Sequence, residues 1–323
     1  MKQAQIIKTS DVVPGDFGHY IGDEPMTSAE AIKEAGLDWD VTLKPIQIAD
    51  PISYAPLATV QQPIKTHKAV VRNSDNNILG IVGSQYQPVQ NRDAFKFMDS
   101  LVDDGSMRYH TVGNLKDGKR VWLLGQTGSY DVVPGDQVDK FLFLWNSHDG
   151  SSSLKCMFTT IRVVCQNAVR SAFRNATERI QLRHTRNIDA GLLDAKEILG
   201  TSKESFEGFE RFSKILAGKQ INTALLNEFA LEMFPEPPKD VNMPSREKAR
   251  DELTRLFEEG QGNTLPGVKG SAWAAFNAVT EYTNHYKVVR GSNKEERRFE
   301  YSLFGAGANL AKRASDSLIK IAA

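Results

Sequence analysis

The sequence predicts an α+β fold: an antiparallel β-sheet with hairpins backed by helices, followed by a mostly helical C-terminal half. Three observations carry this prediction. Turn signals at Asp75-Asn76-Asn77, Lys116-Asp117-Gly118 and His148-Asp149-Gly150 each separate two β-rich runs. Asn, Asp and Gly tolerate the left-handed backbone that a tight hairpin needs. Ala94, Phe95, Met98, Leu101 and Val102 form a stripe at helical spacing. After Asn187 the apolar residues recur at alternating steps of four and three, a helical period.

Residues 1–65 read as a peripheral N-terminal segment. Ser28 opens a short helix that Gly36 ends, Val41–Ile48 alternates as a strand, and Pro45, Pro51, Pro56 and Pro63 mark irregular connections. Residues 66–187 form the expected core of sheet plus basic helix. Strands are predicted at Lys68–Arg72 and Ile78–Gln85, then a helix that Asn91 can cap and Gly105 ends. Four more strands follow at Met107–Leu115, Lys119–Gln126, Gln137–Asn146 and Ser152–Val164. A basic helix from about Val164 to Arg174 and a basic strand over 178–184 complete this part, with helices covering one face of the sheet. Trp122 and Trp145 are expected inside, and Tyr109 stays open.

Residues 188–323 form the mainly helical region. A seam runs from Ile188 through Leu192, Leu199, Phe206 and Phe209 to Leu216, which Gly200 and Gly208 break into packed helices. Pro235-Glu236-Pro237-Pro238 is a linker. Helices are predicted at 245–258 and 270–286, the second carrying Trp273, Phe276, Val279 and Tyr282. A polar loop with Lys294, Arg297 and Arg298 leads to a last helix at 308–321.

The 323 residues carry 40 basic and 40 acidic side chains, so the chain is neutral as a whole. With 40% hydrophobic and 25% charged residues it reads as an ordinary folded protein. No run of about 18 apolar residues suggests a membrane span, and the first residues lack the apolar core of a signal peptide. A cytoplasmic location is expected, where Cys156 and Cys165 would be free thiols. The two cysteines exclude a Cys-rich zinc site, and the six histidines are scattered.

The charge is gathered rather than spread. From Ser153 to Asn187, Lys155, Arg162, Arg170, Arg174, Arg179, Arg183 and Arg186 stand against one acid, Glu178. Residues 1–65 come to −4, residues 188–263 to −5, and the tail from His285 to +4. A local block of one sign attracts polyanions. Arg170 and Arg174 are four apart, on one side of the expected helix, and Arg179 and Arg183 share one face of the expected strand. Lys119 and Arg120, beside Lys116 at a hairpin tip, add phosphate-contact candidates. The plainer alternative is a solvated helix face with surface strand arginines.

Catalytic signatures are missing. Gly260–Gly267 lacks the Lys-Ser/Thr ending of a phosphate loop, and Gly305-Ala306-Gly307 is half of a dinucleotide loop that reads better as a turn. No strand presents spaced carboxylates for a nuclease metal site. Cys165, beside Arg162, is an activated thiol or, more plainly, a buried one. The expectation is a protein that is not an enzyme and has no catalytic residues, metal or cofactor.

Four stretches resemble the phage/plasmid-like protein family: Ile81-Val-Gly-Ser-Gln-Tyr-Gln-Pro-Val-Gln-Asn91, Gly113-Asn-Leu-Lys-Asp-Gly-Lys-Arg-Val-Trp122, Thr160-Ile-Arg-Val-Val-Cys-Gln-Asn167 and Trp273–Tyr282 with Phe304-Gly-Ala-Gly307. The resemblance covers about 70–175 and 270–320. Asn167-Ala168-Val169 departs from the family's usual Asn-Thr-Leu. The family is a domain of unknown function, and the resemblance implies a setting in phages and conjugative elements, and so the cytoplasm of a bacterial host. A looser similarity of predicted topology links the chain to single-strand annealing proteins of the RecT and phage Beta kind. Those proteins form rings or helical filaments that hold one strand in a positive groove. This similarity implies single-stranded DNA and further copies of the chain as partners. It implies no cofactor, because base pairing drives annealing. The alternative is an anti-defence or regulatory protein that binds a host protein through its acidic helical half. An unrecognised nuclease ranks last.

Overall fold

Apolar residues line both faces of the central strands, so neither side of that sheet can be left to water. The computed structural model describes residues 18–20, 26–52, 55–96, 98–103, 105–164, 167–170, 179–185, 202–237 and 244–323. The strands are β1 (Gly18–Tyr20), β2 (Val41–Ile52), β3 (Ala55–Arg72), β4 (Ile78–Gly83), β5 (Arg108–Leu115), β6 (Arg120–Asp131), β7 (Gln137–Ser147), β8 (Leu154–Arg162), β9 (Asn167–Arg170) and β10 (Arg179–Leu182). The helices are α1 (Ser28–Glu34), α2 (Asn91–Lys96), α3 (Asp99–Asp103), α4 (Ser202–Gly218), α5 (Thr223–Met233), α6 (Pro244–Glu259), α7 (Ala272–Glu281), α8 (Lys294–Phe304) and α9 (Ala306–Ala322). A π-helical turn at Tyr282–Tyr286 continues α7. The fold is α+β, with its helices concentrated in the C-terminal half.

Seven strands form one antiparallel sheet in the order β1-β5-β6-β7-β8-β10, with β9 also paired to β8. A second sheet, β2-β3-β4, has three strands. The Lys116-Asp117-Gly118 turn takes the left-handed backbone its residues predict, with φ of 55°, 56° and 81°. A Cβ on Gly118 would lie 2.8 Å from Arg72 and 2.9 Å from Trp39, so the turn also seats the small sheet against the large one.

One face of the seven-stranded sheet sends Val121, Leu123, Leu142, Leu144 and Cys156 into a core with Ile32, Phe95 and Met98. The opposite face sends Trp122, Leu124, Phe143, Trp145 and Met157 against Phe299 and Leu303 of α8. Both faces are therefore covered, where the sequence reading expected one. Trp122 and Trp145 are buried as expected; Tyr109, left open by the sequence, is buried too, and its hydroxyl donates to Asp99 at 2.7 Å. The helices α4 to α7 and α9 enclose a third core around Trp273 and Phe276, which Val138 of β7 and Val132, just after β6, join.

Three local expectations are corrected. The helix expected from Val164 to Arg174 is overturned at 167–170, where β9 pairs with Thr159–Arg162 of β8. β10 takes Leu154–Met157 on the same edge, so two short strands end to end satisfy backbone groups that one helix would have left unpaired. Residues 165–166 and 171–174 lie outside the described residues. The polar loop expected at Lys294 is the first turn of α8, where Glu295 and Glu296 suit a helix N-terminus and Phe299 and Leu303 anchor it to the sheet. Asn91 does not cap α2. Its amide donates to Leu37 O at 2.9 Å, and its Oδ1 faces His148 Nε2 at 2.9 Å.

Candidate nucleic-acid interface

The turn after β7 is stiffened by its own side chains. Asp149 Oδ1 accepts from Ser147 Oγ at 2.6 Å and from the Ser151 N–H at 2.9 Å, and Ser151 Oγ donates to it as well. Burial alone would raise the Asp149 carboxyl; these bonds and Arg120 hold it below its ordinary range. Arg120 lies 3.6 Å from Asp149 Oδ2, donates to Ser151 Oγ at 2.9 Å, pairs with Glu300 of α8 and stands over the Trp145 ring at 5.7 Å. Lys116 Nζ also reaches both carboxylate oxygens of Glu300 at 3.3 Å. Two cations and two carboxylates thus balance one another, and they clamp α8 to the hairpin ends.

Beside this clamp a depression of about 590 Å³ opens between the turn and α8. Its walls carry Arg120, Lys155, Lys287, Arg290 and Arg297 together with the half-buried rings of Tyr301 and Phe304. The Lys155 ammonium sits 4.7 Å above the Phe304 ring. A second depression of about 400 Å³ adjoins it and is lined by Tyr86, Arg183 and His184. The two share Ser151, Ser152 and Lys155, so they make one continuous track. Among the described residues lining either depression, Glu300 is the one acid, and the clamp occupies it. Arg183, Arg290 and Arg297 are exposed.

Below the second depression the wall is rigid. Tyr86 stacks on His184 with centroids 4.8 Å apart and donates its hydroxyl to Ser147 O at 2.7 Å. His184 Nδ1 faces Gln87 O at 3.2 Å. A carbonyl only accepts, so this nitrogen carries the ring proton. Burial pushes His184 down to about 4 and His148 down to about 3, and both rings are neutral near pH 7.

The residues singled out in the sequence divide among these places. Arg120, Lys155 and Arg183 come together in the track. Lys119 is half-buried at the hairpin, where its carbonyl accepts from the His148 N–H at 2.8 Å. Arg162 departs from the expectation: only 2% exposed, it pairs with the fully buried Asp136 at 2.6 Å. Its guanidinium also donates to Gln261 O, Gly262 O and Asn263 Oδ1 at 3.0, 2.9 and 3.1 Å. Its charge is spent on joining the sheet to the loop before α7. Arg170 and Arg179 stand on β9 and β10, but their side chains, like Arg174 and Arg186 altogether, lie outside the described residues. Sequence reasoning missed Lys287, Arg290 and Arg297 as site residues. The +4 charge after His285, close to Tyr301 and Phe304, was the available signal.

Among the described residues, no His, Cys, Asp and Glu side chains form a group able to hold a metal ion, and no helix is long and apolar enough to cross a membrane. A family model described as a domain of unknown function, DUF932, matches residues 78–303. The match spans more than half of the chain, which belongs to this family. No curated protein and no solved structure matches it.

Proposed function

We propose that this member of the DUF932 family binds and anneals single-stranded DNA for a phage or mobile element, working as a homo-oligomer. One observation carries the reading: a continuous track with Lys155, Arg183, Lys287, Arg290 and Arg297 on its walls, two half-buried rings, and a single acid that is already paired. Cations supply the sequence-independent attraction to phosphate. Tyr301 and Phe304 offer flat surfaces for bases, which only an unpaired strand can bring to them. An antiparallel sheet with a basic rim supports the likeness to the RecT and phage Beta annealing proteins. The chemistry asks for no cofactor, since the protein aligns strands that pair by themselves.

The test is fluorescence anisotropy of a labelled oligonucleotide across a salt series. Five cations on phosphates give a log K against log[salt] slope of roughly −3.5, at about 0.7 per contact. Arg290→Glu with Arg297→Glu should abolish binding and leave the melting temperature within about 1 °C, because both side chains are exposed and exposed charges add little to stability. A flat salt response, or tighter binding to duplex than to single strands, sinks the reading.

A further inference from the structure

Beyond Pro45 of β2 and Thr66 of β3, these strands leave the three-stranded sheet and, among the described residues, pair only with each other, from Ile46 opposite Ile64 to Ile52 opposite Ala55. The ribbon is about 25 Å long at the usual rise per residue. Between Lys44 and Ile48, and between Gln62 and His67, no described side chain is buried. Ile46 and Ile64 are cross-strand partners on one face, and Ile48, two residues on, shares that face and is 49% exposed. A free two-stranded ribbon is marginal in water and gains stability from a surface that covers it.

The composition says what can cover it. From Pro45 to Ile64 the sequence carries one charged residue, Asp50, and no cation, so the ribbon is not an arm for phosphates. Pro45, Pro51, Pro56 and Pro63 remove N–H groups from both strands, which disfavours extension of the ribbon by a further strand along its edges. Contact through its apolar face is what remains, and that calls for an apolar protein surface. The chain displays one on β4, the edge strand at the ribbon's root, where Ile78 is 56% and Ile81 63% exposed. The same copy cannot join the two. The ribbon leaves past the Gly83 end of β4, whereas Ile78 stands at the other end beside the Asn73–Asn77 turn, and a return would break the β3 pairing at His67–Val71.

We propose that the face of the β2–β3 ribbon carrying Ile46, Ile48 and Ile64 docks on Ile78 and Ile81 of β4 in a second copy of this chain. The contact is head to tail, since ribbon and patch are different surfaces, and its repetition makes rings or helical filaments. It gives the homo-oligomer of the annealing reading, on which it builds, its subunit contact. The ribbon lies outside the span of the family match.

The experiment omits nucleic acid, so that the contact and the annealing reading can fail separately. Light scattering on the full chain should give a mass well above 35.9 kDa. A variant with residues 46–64 replaced by Asn-Gly should melt cooperatively and stay at single-chain mass. Mixing Ile48→Cys with Ile81→Cys under a mild oxidant, which takes up the two thiol hydrogens, should link two chains. Neither variant alone, nor the wild type with Cys156 and Cys165, should do so. A wild type that is monomeric at high concentration, a shortened variant that assembles like the wild type, or Ile48→Cys linking to itself overturns the proposal. Should the shortened variant fail to fold, the cysteine mixture decides alone.

Discussion

Replacing Arg162 with Met keeps most of the aliphatic stem and removes the guanidinium, which separates the two roles a basic residue on β8 could have. In the structure Asp136 accepts from Arg162 Nε at 2.6 Å and from Trp273 Nε1 at 2.8 Å, in a site with no exposure at Asp136. After the change the carboxylate keeps only the indole N–H, and the carbonyls of Gln261 and Gly262 lose their donor. Breaking a buried ion pair from one side costs about 3–5 kcal/mol. The unfolding entropy of 323 residues is about 0.7 kcal/mol per kelvin, at roughly 2.1 cal/mol/K per residue, so the melting temperature should fall by about 4–7 °C. Adding Asp136→Leu removes the stranded charge as well. The double variant should regain all but about 1–3 kcal/mol, the cost of a buried indole N–H without a partner. Calorimetry of wild type, both single variants and the double variant gives the cycle. Oligonucleotide affinity of Arg162→Met, measured well below its melting temperature, should match the wild type. An unchanged melting temperature with lost affinity would refute the buried-pair argument and return Arg162 to the binding surface.

Other predictions concern the groove, the histidines, one glycine and one cysteine. Arg290→Glu with Arg297→Glu should abolish oligonucleotide binding at constant stability, as anisotropy and melting curves together will show. His148 and His184 are harder to protonate when folded than when unfolded, so the unfolded chain binds more protons as pH drops below about 6.5. Their contribution is whole above that pH and is lost on the way down through about 4 for His184 and about 3 for His148. Each should add a slope of up to about 1.4 kcal/mol per pH unit, which urea unfolding at pH 7 and pH 5 measures; a slope that His148→Gln does not reduce contradicts the assignment. Gly80→Ala puts a Cβ 2.5 Å from the Asp149 Cα, and backbone cannot step aside as a side chain can. A loss of about 1–3 kcal/mol is expected, and a neutral result would mean that β4 shifts freely against the turn. Burial pushes the Cys156 thiol up to about 12, so a thiol reagent at pH 8 should leave it unmodified until the protein unfolds.

Much of the sheet was legible because hairpins are local. Lys116-Asp117-Gly118 and His148-Asp149-Gly150 specify their turns through backbone preferences of the residues themselves, and β5 to β8 follow in register. α6, α7 and α9 also lie near their expected bounds, since a helix draws its hydrogen bonds from its own neighbours in sequence. β9 was not legible. Asn167-Ala-Val-Arg170 has no strong preference, and the open edge of β8, distant in kind from any local signal, makes it a strand. The π-helical turn after α7 gave no signal either, and α5 was overlooked although Asn222 caps it by accepting from the Leu225 N–H at 2.9 Å.

The sequence by itself determined that positive charge is concentrated in two stretches, around 153–187 and after His285, and that a neutral chain must balance them elsewhere. It could not say which of those charges meet. Burial decided that. Arg162 faces a carboxylate inside the protein and Arg120 is held by Asp149 and Glu300, while Lys155 and Arg183 join Lys287, Arg290 and Arg297 across more than a hundred residues of chain. A side chain's charge is a property of its residue, but whether that charge is spent or available depends on what packs around it, and only the tertiary structure supplies the neighbours.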